Sequence, residues 1–242
     1  MNVRRTYTGW AVAGIALIAA GILTGCSGSA APTSSTTAAI DVDAAWLDGG
    51  RLIGVVTWGS SSCVPFADAA SLSADGALQV SLNDPASVDG ATQVACTADY
   101  APRISVVGVP EGVDPAKGVD VHVTYGSGVG DVALAGAQGL TGVGTPTDYA
   151  PSAGWTGKPG MFAYLTWGSS TCAPVVKDVA ATGDAQVTVT FVEPAADRAC
   201  TMDMAPRAAL AEVQGLTTPA GAHLVLTGDA YSGVNVPIAG GS

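Results

Sequence analysis

Apolar and polar residues alternate along several short segments of the chain. The alternation covers residues 78–83 (LQVSLN), 119–124 (VDVHVT) and 186–191 (QVTVTF), and each segment contains β-branched residues. A period of two with this composition is typical of strands that are buried on one face. Two further segments, 52–58 and 161–167, are apolar at almost every position. They indicate strands that are covered on both faces.

Turn residues separate these segments, and helical periodicity is nearly absent. Examples are Asp75-Gly76, Asp84-Pro85 and Pro110-Glu111-Gly112. Glycine, proline and aspartate punctuate a chain in this way because they fit tight turns. Short strands at intervals of about ten residues predict an all-β fold built from antiparallel sandwiches or small barrels.

The chain contains two copies of one module. Residues 57–65 (TWGSSSCVP) return as 166–174 (TWGSSTCAP), at a separation of 109 positions. Residues 96–103 (CTADYAPR) return as 200–207 (CTMDMAPR), at a separation of 104. Two strings that recur in the same order indicate a tandem duplication.

The duplication sets the expected boundaries. We expect a first β module at residues 46–136 and a second at 155–242, each large enough to fold alone. The segment 137–154 between them contains Gly, Thr, Pro, Asp and Ser without a sustained apolar period. It is therefore predicted to be a flexible connector that lets the modules move relative to each other.

One pair of segments conflicts with the alignment of the two copies. The separation of 104 places Val121 over Val225 and Val123 over Thr227, whereas the apolar positions of the second copy are Leu224 and Leu226. A shift of one residue reverses the faces of a strand. We therefore expect a β-bulge or a one-residue slip in this region.

Residues 1–25 have the form of a secretory signal peptide. Two arginines precede the apolar run 11–23, which is too short for a comfortable membrane span. The run ends in Leu23-Thr24-Gly25-Cys26, which resembles the lipobox of bacterial lipoproteins. The resemblance implies cleavage before Cys26 and attachment of diacylglycerol to its thiol. The expected location is the cell membrane, lipid-anchored on the extracytoplasmic face; the alternative is an uncleaved signal anchor.

Residues 26–45 are mostly small and polar, so we expect the lipidated cysteine to be followed by a disordered tether. Removing the signal peptide takes away Arg4 and Arg5 and no acidic residue, so the formal net charge changes from −11 to −13. A surface of this charge repels phosphate backbones. Nucleic acid is therefore not an expected partner.

Four cysteines remain after Cys26, two in each module. Because a module that folds alone must pair its own cysteines, the duplication predicts the disulfides Cys63–Cys96 and Cys172–Cys200. Such bonds persist in exported proteins. The alternative, a redox or metal-thiolate site, lacks a Cys-x-x-Cys spacing and a nearby histidine.

The tryptophans also occur as repeat pairs. Trp58 and Trp167 end an apolar segment five residues before a cysteine, so we expect them to pack in the core on the disulfide. Trp46 and Trp155 lie at the module edges near glycines. These two are predicted to be more exposed and are candidates for stacking on a sugar ring or a peptide.

Charged and hydroxyl residues recur beside the cysteines. Asp99 with Arg103, and Asp203 with Arg207, lie four positions apart in both copies. The two residues of each pair could bridge each other or hold the loop beside the second cysteine; we expect a structural ion pair, with a ligand clamp as the alternative. The Gly-Ser-Ser loops before the first cysteine of each module offer hydroxyls and amides, but such residues commonly satisfy their own backbone in a turn.

Catalytic motifs are not found in the sequence. His122 and His223 do not occupy equivalent repeat positions, and neither has a carboxylate or a second histidine at ligand spacing. Neither a nucleophile elbow, nor a His-Glu-x-x-His pair, nor a phosphate-binding loop occurs. We therefore expect a protein that is not an enzyme and that uses no cofactor or metal.

The paired modules, with their Trp-Gly-Ser-Ser-x-Cys and Cys-Thr-x-Asp-x-x-Pro strings, are similar to small cysteine-paired domains of actinobacterial exported proteins. The resemblance implies a location but no activity. The sequence favours non-catalytic binding or scaffolding of an extracytoplasmic protein, peptide or glycan. The alternatives are an envelope enzyme with a site between the modules, an inhibitor, and a solute-capture lipoprotein, which a deep cleft between the modules would favour.

Overall fold

The alternating segments of the sequence form strands of an all-β fold, as predicted. The computed structural model describes residues 38–85, 95–216 and 219–241. The predicted signal peptide, Cys26 and the predicted tether as far as residue 37 lie outside the described residues. Among the described residues there is no α-helix, and nothing helical is long or apolar enough to cross a bilayer.

The first module forms two sheets. Its described strands are β1 (Ala38–Ala39), β2 (Val42–Leu47), β3 (Leu52–Gly59), β4 (Phe66–Ala67), β5 (Ser71–Leu72), β6 (Leu78–Asn83), β7 (Ala101–Gly108), β8 (Gly118–Tyr125) and β9 (Gly128–Ala135). One sheet has the order β1-β9-β8-β6-β4, with β5 also on β6, and the other has the order β2-β3-β7. Short 3-10 turns lie at Asp48–Gly50 and, in the connector, at Gly142–Gly144.

The second module repeats this arrangement in a single sheet. Its described strands are β10 (Ser152–Trp155), β11 (Met161–Gly168), β12 (Val176–Gly183), β13 (Gln186–Phe191), β14 (Ala205–Glu212), β15 (His223–Gly228) and β16 (Tyr231–Ala239). The order is β12-β13-β15-β16-β10-β11-β14. Each strand of the central path matches a strand of the first module in the same order, so the duplication extends to the topology.

The sheets are mixed rather than purely antiparallel. The hairpins β8–β9 and β15–β16 are antiparallel, but β6 lies parallel to β8 and β13 lies parallel to β15. The reason is a crossover in each module. The chain leaves after β6 or β13, forms β7 or β14 beside β3 or β11, and only then returns to pair with the strand that it left.

The expected bulge is present in β16. Val121 pairs with Val132 in the first module, and Leu224 pairs with Val236 in the second, so equivalent residues are 103 positions apart in one strand and 104 in the next. The pairing of β15 with β16 shifts by one residue at Gly233, whereas β8 and β9 pair without a shift. Gly233 has a φ of 70°, which glycine adopts without steric cost. The one-residue shift of β15 places its leucines in the core, and the extra residue in β16 restores the separation of 104.

Each module has its own apolar core. In the first module the core consists of alternate residues of the central strands, including Ile53, Val55, Leu78, Val80, Val121 and Val123. In the second module the core is more aromatic. Phe162, Tyr164, Leu224 and Leu226 replace smaller residues of the first core, whereas Val189 is unchanged and Val187 replaces a leucine. Burial raises the pKa of the Tyr164 phenol to about 12.

A third buried cluster lies between the modules. Ala45 and Leu47 of β2 pack against Ala163 and Leu165 of β11, and all four side chains are buried. This contact explains why the segments of β3 and β11 are apolar on both faces. One face of each strand points into the core of its own module, and the other is covered within the contact between the modules.

The folded region begins earlier than predicted. We expected residues 26–45 to be a disordered tether, but residues 38–39 form β1 and β2 begins at Val42. Asp43 is buried, and its carboxylate accepts hydrogen bonds from the backbone amides of Gly157 at 2.8 Å and Lys158 at 3.2 Å. The pattern missed this strand because small alanines and aspartates carry little apolar signal, while the aspartate is satisfied by a loop of the other module.

The connector is fixed along its length, in contrast to the expected flexible segment. Ala137 and Leu140 pack against the core of the first module. The hydroxyl of Thr147 donates to the carboxylate of Asp48 at 2.9 Å, and Tyr149 stacks edge-to-face on Trp167 with centroids 5.1 Å apart. The modules form one compact unit. Whether either module folds alone stays a prediction.

The two cysteine loops lie at opposite ends of this unit. Asp43 contacts Gly157 and the Asp48 amide donates to the Ser152 hydroxyl, so β2 and β10 pass each other in opposite directions. Each is antiparallel to the strand that leads to a cysteine loop, β3 or β11. Those strands therefore also run in opposite directions, and the loops that follow them point away from each other.

Candidate functional site

Both predicted disulfides are formed. Cys63 pairs with Cys96 and Cys172 pairs with Cys200, with Cα–Cα distances of 5.5 and 5.6 Å. Each bond joins the loop after an apolar strand, β3 or β11, to the segment before β7 or β14. Each disulfide therefore links the end of one strand, β3 or β11, to the start of the neighbouring strand, β7 or β14.

The aspartates beside the second cysteines hold the loop rather than an arginine. The Asp99 carboxylate accepts a hydrogen bond from the Ser61 backbone amide at 3.1 Å and another from the hydroxyl of Thr97. These hydrogen bonds, the one from Thr97 first and those from Ser61 next, lower the pKa of Asp99 to about 2. In the second module the Asp203 carboxylate accepts hydrogen bonds from the Thr201 hydroxyl and the Ser170 backbone amide. They lower the pKa of Asp203 to about 2 as well.

The arginines of the two pairs have other partners, so the expected Asp–Arg ion pairs are not formed. The Arg103 guanidinium is buried and donates to the carbonyl oxygen of Cys63 at 2.8 Å. Arg207 donates to the carbonyl oxygens of Cys172 at 3.0 Å and Trp167 at 2.7 Å. Each arginine therefore organises the loop before its disulfide, which is a structural role.

Glycine is required where these guanidinium groups pass the loop. A Cβ atom at Gly59 would lie 2.8 Å from Cζ of Arg103, and one at Gly168 would lie 2.9 Å from a terminal nitrogen of Arg207. A real Cβ does not approach another heavy atom this closely. The glycine of the duplicated Trp-Gly-Ser string is thus explained by its packing against an arginine in each module.

The expected exposure of Trp46 and Trp155 is wrong. Their exposed fractions are 2% and 5%. Trp46 donates its indole N–H to the carbonyl oxygen of Ala135 at 2.8 Å, and Trp155 packs edge-to-face on Phe162 with centroids 5.6 Å apart. Each side chain belongs to the apolar core of its own module, a placement that the position at a module edge did not reveal.

Trp58 and Trp167, which we expected in the core, are instead partly exposed. The ammonium of Lys158 lies 3.8 Å from the centroid of the Trp58 ring, a cation–π contact between the modules. Trp167 carries the ring of Tyr149 from the connector. Trp58 therefore contacts the other module, and Trp167 contacts the connector.

His122 has a carboxylate neighbour that its sequence position did not show. It lies opposite Asp131 in the antiparallel pair β8–β9, and its Nδ1 forms a short hydrogen bond with that carboxylate. The hydrogen bond with Asp131 raises the pKa of His122. His223 contacts Asn235 at 2.8 Å instead. The hairpin register, had it been predicted from the turn, would have identified the first pair.

A cleft of about 830 Å³ opens between the modules. Its floor and walls include apolar residues from both modules and the connector: Trp46, Leu47, Ala137, Leu140, Pro146, Ala150, Pro151, Ala153, Val236, Pro237 and Ile238. Cavities of roughly 300–1,000 Å³ with largely apolar linings are typical of small-ligand sites in proteins. None of the sequence motifs predicted this cleft, because it arises from the packing of segments that are distant in the chain.

Polar groups along one wall of the cleft are tied to one another. Asp48 is buried and forms two hydrogen bonds with the guanidinium of Arg51, at 2.8 and 2.9 Å. Arg51 also donates to the Thr145 hydroxyl at 3.1 Å. The ion pair with Asp48 raises the pKa of Arg51. Since this pair is neutral as a unit, Asp148 is the remaining charged residue of the cleft lining.

The described residues contain no group of three or more His, Cys, Asp and Glu side chains placed to hold a metal ion. The comparisons with known proteins give no relative. No protein-family model, no curated protein and no solved structure matches the chain.

Proposed function

We propose that the chain is a lipid-anchored, extracytoplasmic binding protein that is not an enzyme and that captures its ligand in the cleft between its modules. The cleft is the observation that carries this proposal, because it has the volume and the apolar lining of a ligand site. The neutral Asp48–Arg51 pair and the negative Asp148 favour an uncharged or positively charged ligand with an apolar body.

The duplicated loops support this choice over recognition by two equivalent sites. Their aspartates, arginines and glycines are engaged with the loop itself. The loops also lie at opposite ends of the unit, so one compact partner could not reach both. A single site between the modules therefore replaces the bivalent recognition that a duplication alone would favour.

Blocking the cleft tests the proposal. Ala150 is exposed and lines the cleft, whereas Ala69 is exposed and does not. Nile red, an uncharged apolar dye, is expected to bind the full-length chain in detergent-free nanodiscs with a fluorescence increase over empty nanodiscs. Ala150→Trp should remove this increase, and Ala69→Trp should retain it. Equal dye binding by both variants would show that the cleft is not the site.

The anchor has a separate test. The lipobox resemblance and the pairing of the four other cysteines leave Cys26 as the single thiol available for acylation. Cys26→Ser is expected to release the protein from the membrane fraction or to leave it unprocessed. An unmodified Cys26 thiol in the intact mass of the membrane-bound protein would contradict lipidation.

A further inference from the structure

The last strands of the two modules, β9 and β16, pair with the preceding chain at different positions along one edge. In the first module β1 lies parallel to β9, with Ala38 opposite Gly128 and Ala39 opposite Val129. The amide of Ile40 continues this ladder by donating to the carbonyl oxygen of Val129 at 2.9 Å. The edge of β9 is therefore covered by the chain that enters the module.

The equivalent edge of β16 is covered over two residues. Its parallel partner β10 pairs at Ala153 with Ile238 and at Gly154 with Ala239. In the register of β1 and β9, the preceding residues 147–152 would continue along 232–237. They do not pair there; the lining of the cleft includes Ala150 and Pro151 from this segment and Val236 and Pro237 from the strand.

The connector leaves this edge for identifiable reasons. Tyr149 has a φ of 57°, outside the extended region that a strand requires, and its ring stacks on Trp167. Thr147 donates to Asp48 of the first module. These contacts direct the connector toward Asp48 and Trp167. As a result, no described residue takes in the second module the position that β1 takes in the first.

The open edge presents backbone groups of Asn235. The amide of Ile238 donates to the carbonyl oxygen of Ala222, on the side of β15. Groups of Val236 and Val234 share that side, because backbone groups alternate along a strand. Asn235 and Pro237 therefore turn toward the open edge. Pro237 has no N–H, and proline is tolerated where a strand faces an edge.

From these observations we infer that the open edge of β16 binds an extended peptide with small side chains as an added parallel strand. Main-chain hydrogen bonds to such an edge are a recurring mode of peptide recognition. The inference rests on the proposed function, since Val236 and Pro237, next to Asn235 in β16, line the cleft. It narrows the ligand from an apolar molecule to a peptide strand.

The requirement for small side chains follows from the two strand sequences. In the first module a Cβ at Gly130 would lie only 3.1 Å from Cγ1 of Ile40, the branched residue that continues the ladder of β1. The residue that occupies the position of Gly130 in β16 is Val234, which is 104 positions later. Its side chain takes the space that a branched residue of the added strand would need, so Ala, Ser or Gly fits there.

The test uses a fluorescein-labelled pentapeptide, acetyl-Thr-Thr-Ala-Ala-Ala, which copies the sequence 36–40 with alanine in place of Ile40. Binding to the full-length chain in nanodiscs is measured by fluorescence anisotropy. Asn235→Pro removes an outward N–H, and the proline ring occupies the space beside it. The lost hydrogen bond and the steric clash are expected to weaken peptide binding at least about tenfold. Asn235→Ala keeps the backbone N–H and should bind within about twofold of the unchanged chain.

Two controls keep the outcomes distinct. A thermal melt checks that Asn235→Pro is folded; if it is not, Ala150→Trp blocks the cleft without altering β16. Absence of peptide binding at about 1 mM, or equal binding by Asn235→Pro and Asn235→Ala, overturns the inference. If Nile red still binds in the cleft, the proposed function survives that result. If the dye does not bind in the cleft either, both proposals are wrong.

Discussion

The two modules are alike at their cysteine loops but differ at the edges of their last strands. At the loops both modules keep the same contacts: a disulfide, an aspartate on a backbone amide and an arginine packed on a glycine. At the last strand the pairing differs: β1 pairs with the start of β9, whereas β10 pairs with the end of β16, where Val236 and Pro237 line a cleft. Features that both copies need are those that make the module fold.

A duplicated chain can change one copy while the other keeps the original arrangement. In β16 Gly233 is an extra residue and Pro237 takes the place of Ala133, whereas β9 pairs without a bulge. An exposed edge also invites aggregation, and a bulge or a proline limits that risk. The difference between the copies therefore favours the cleft as the candidate site over the repeated cysteine loops.

The largest expected effect comes from removing the first strands. A fragment of residues 46–136 lacks β1 and most of β2, including the buried Ala44 and Ala45. It is expected to be unfolded, whereas a fragment of residues 38–136 is expected to fold and to associate through the exposed face of Leu47. Circular dichroism and sedimentation measure both properties. If neither fragment folds, each module depends on the other, and if both fold equally well, the first strands are dispensable.

The disulfides should contribute equally to both modules. Their sequence separations are 33 and 28 residues, so the chain-entropy estimate gives about 3.5 kcal/mol for each. The double variants Cys63→Ser/Cys96→Ser and Cys172→Ser/Cys200→Ser should each lower the free energy of unfolding by about that amount in urea titrations. A loss confined to one pair would show that the modules do not use their loops in the same way.

The sequence predicted the features that depend on neighbouring residues or on the repeat. Alternation identified strands such as β6 and β13, the duplicated cysteines identified both disulfides, and the conflict at Leu224 identified the bulge. The apolar runs of β3 and β11 also indicated coverage on both faces. These features depend on a local period or on a comparison of the two copies, both of which are visible in one chain.

The features that were missed depend on contacts between distant segments. Trp46 is buried in the first core and donates to the carbonyl of Ala135, and Asp43 is buried because a loop more than one hundred positions away donates to it. His122 meets Asp131 only through the register of a hairpin. The cleft has no sequence signal, because it results from the packing of segments that are distant in the chain.

A smaller effect is expected from the glycines that contact the arginines. Gly59→Ala and Gly168→Ala place a Cβ against a held guanidinium, and each should cost about 1–3 kcal/mol in the free energy of unfolding. Gly108→Ala is the control, because a Cβ there meets nothing within 4 Å. It should stay within about 0.5 kcal/mol of the unchanged chain. Denaturant titration of Gly59→Ala against the control tests the packing requirement alone. Gly168 has a φ of 149°, so Gly168→Ala adds backbone strain and should cost more than Gly59→Ala.

The smallest expected effect is a pH dependence that both loops share. The pKa values of Asp99 and Asp203 are lowered from 3.8 to about 2 by their hydrogen bonds. A carboxylate whose pKa is lower in the folded state stabilises the fold above its ordinary pKa, and this contribution is lost as the pH falls from about 4 toward 2. Asp99→Asn and Asp203→Asn should each flatten the fall in melting temperature over that range. Because the two loops lie at opposite ends of the unit, the effects should add in the double variant. A double variant with the same acid dependence as the unchanged chain would show that these hydrogen bonds do not stabilise the loops.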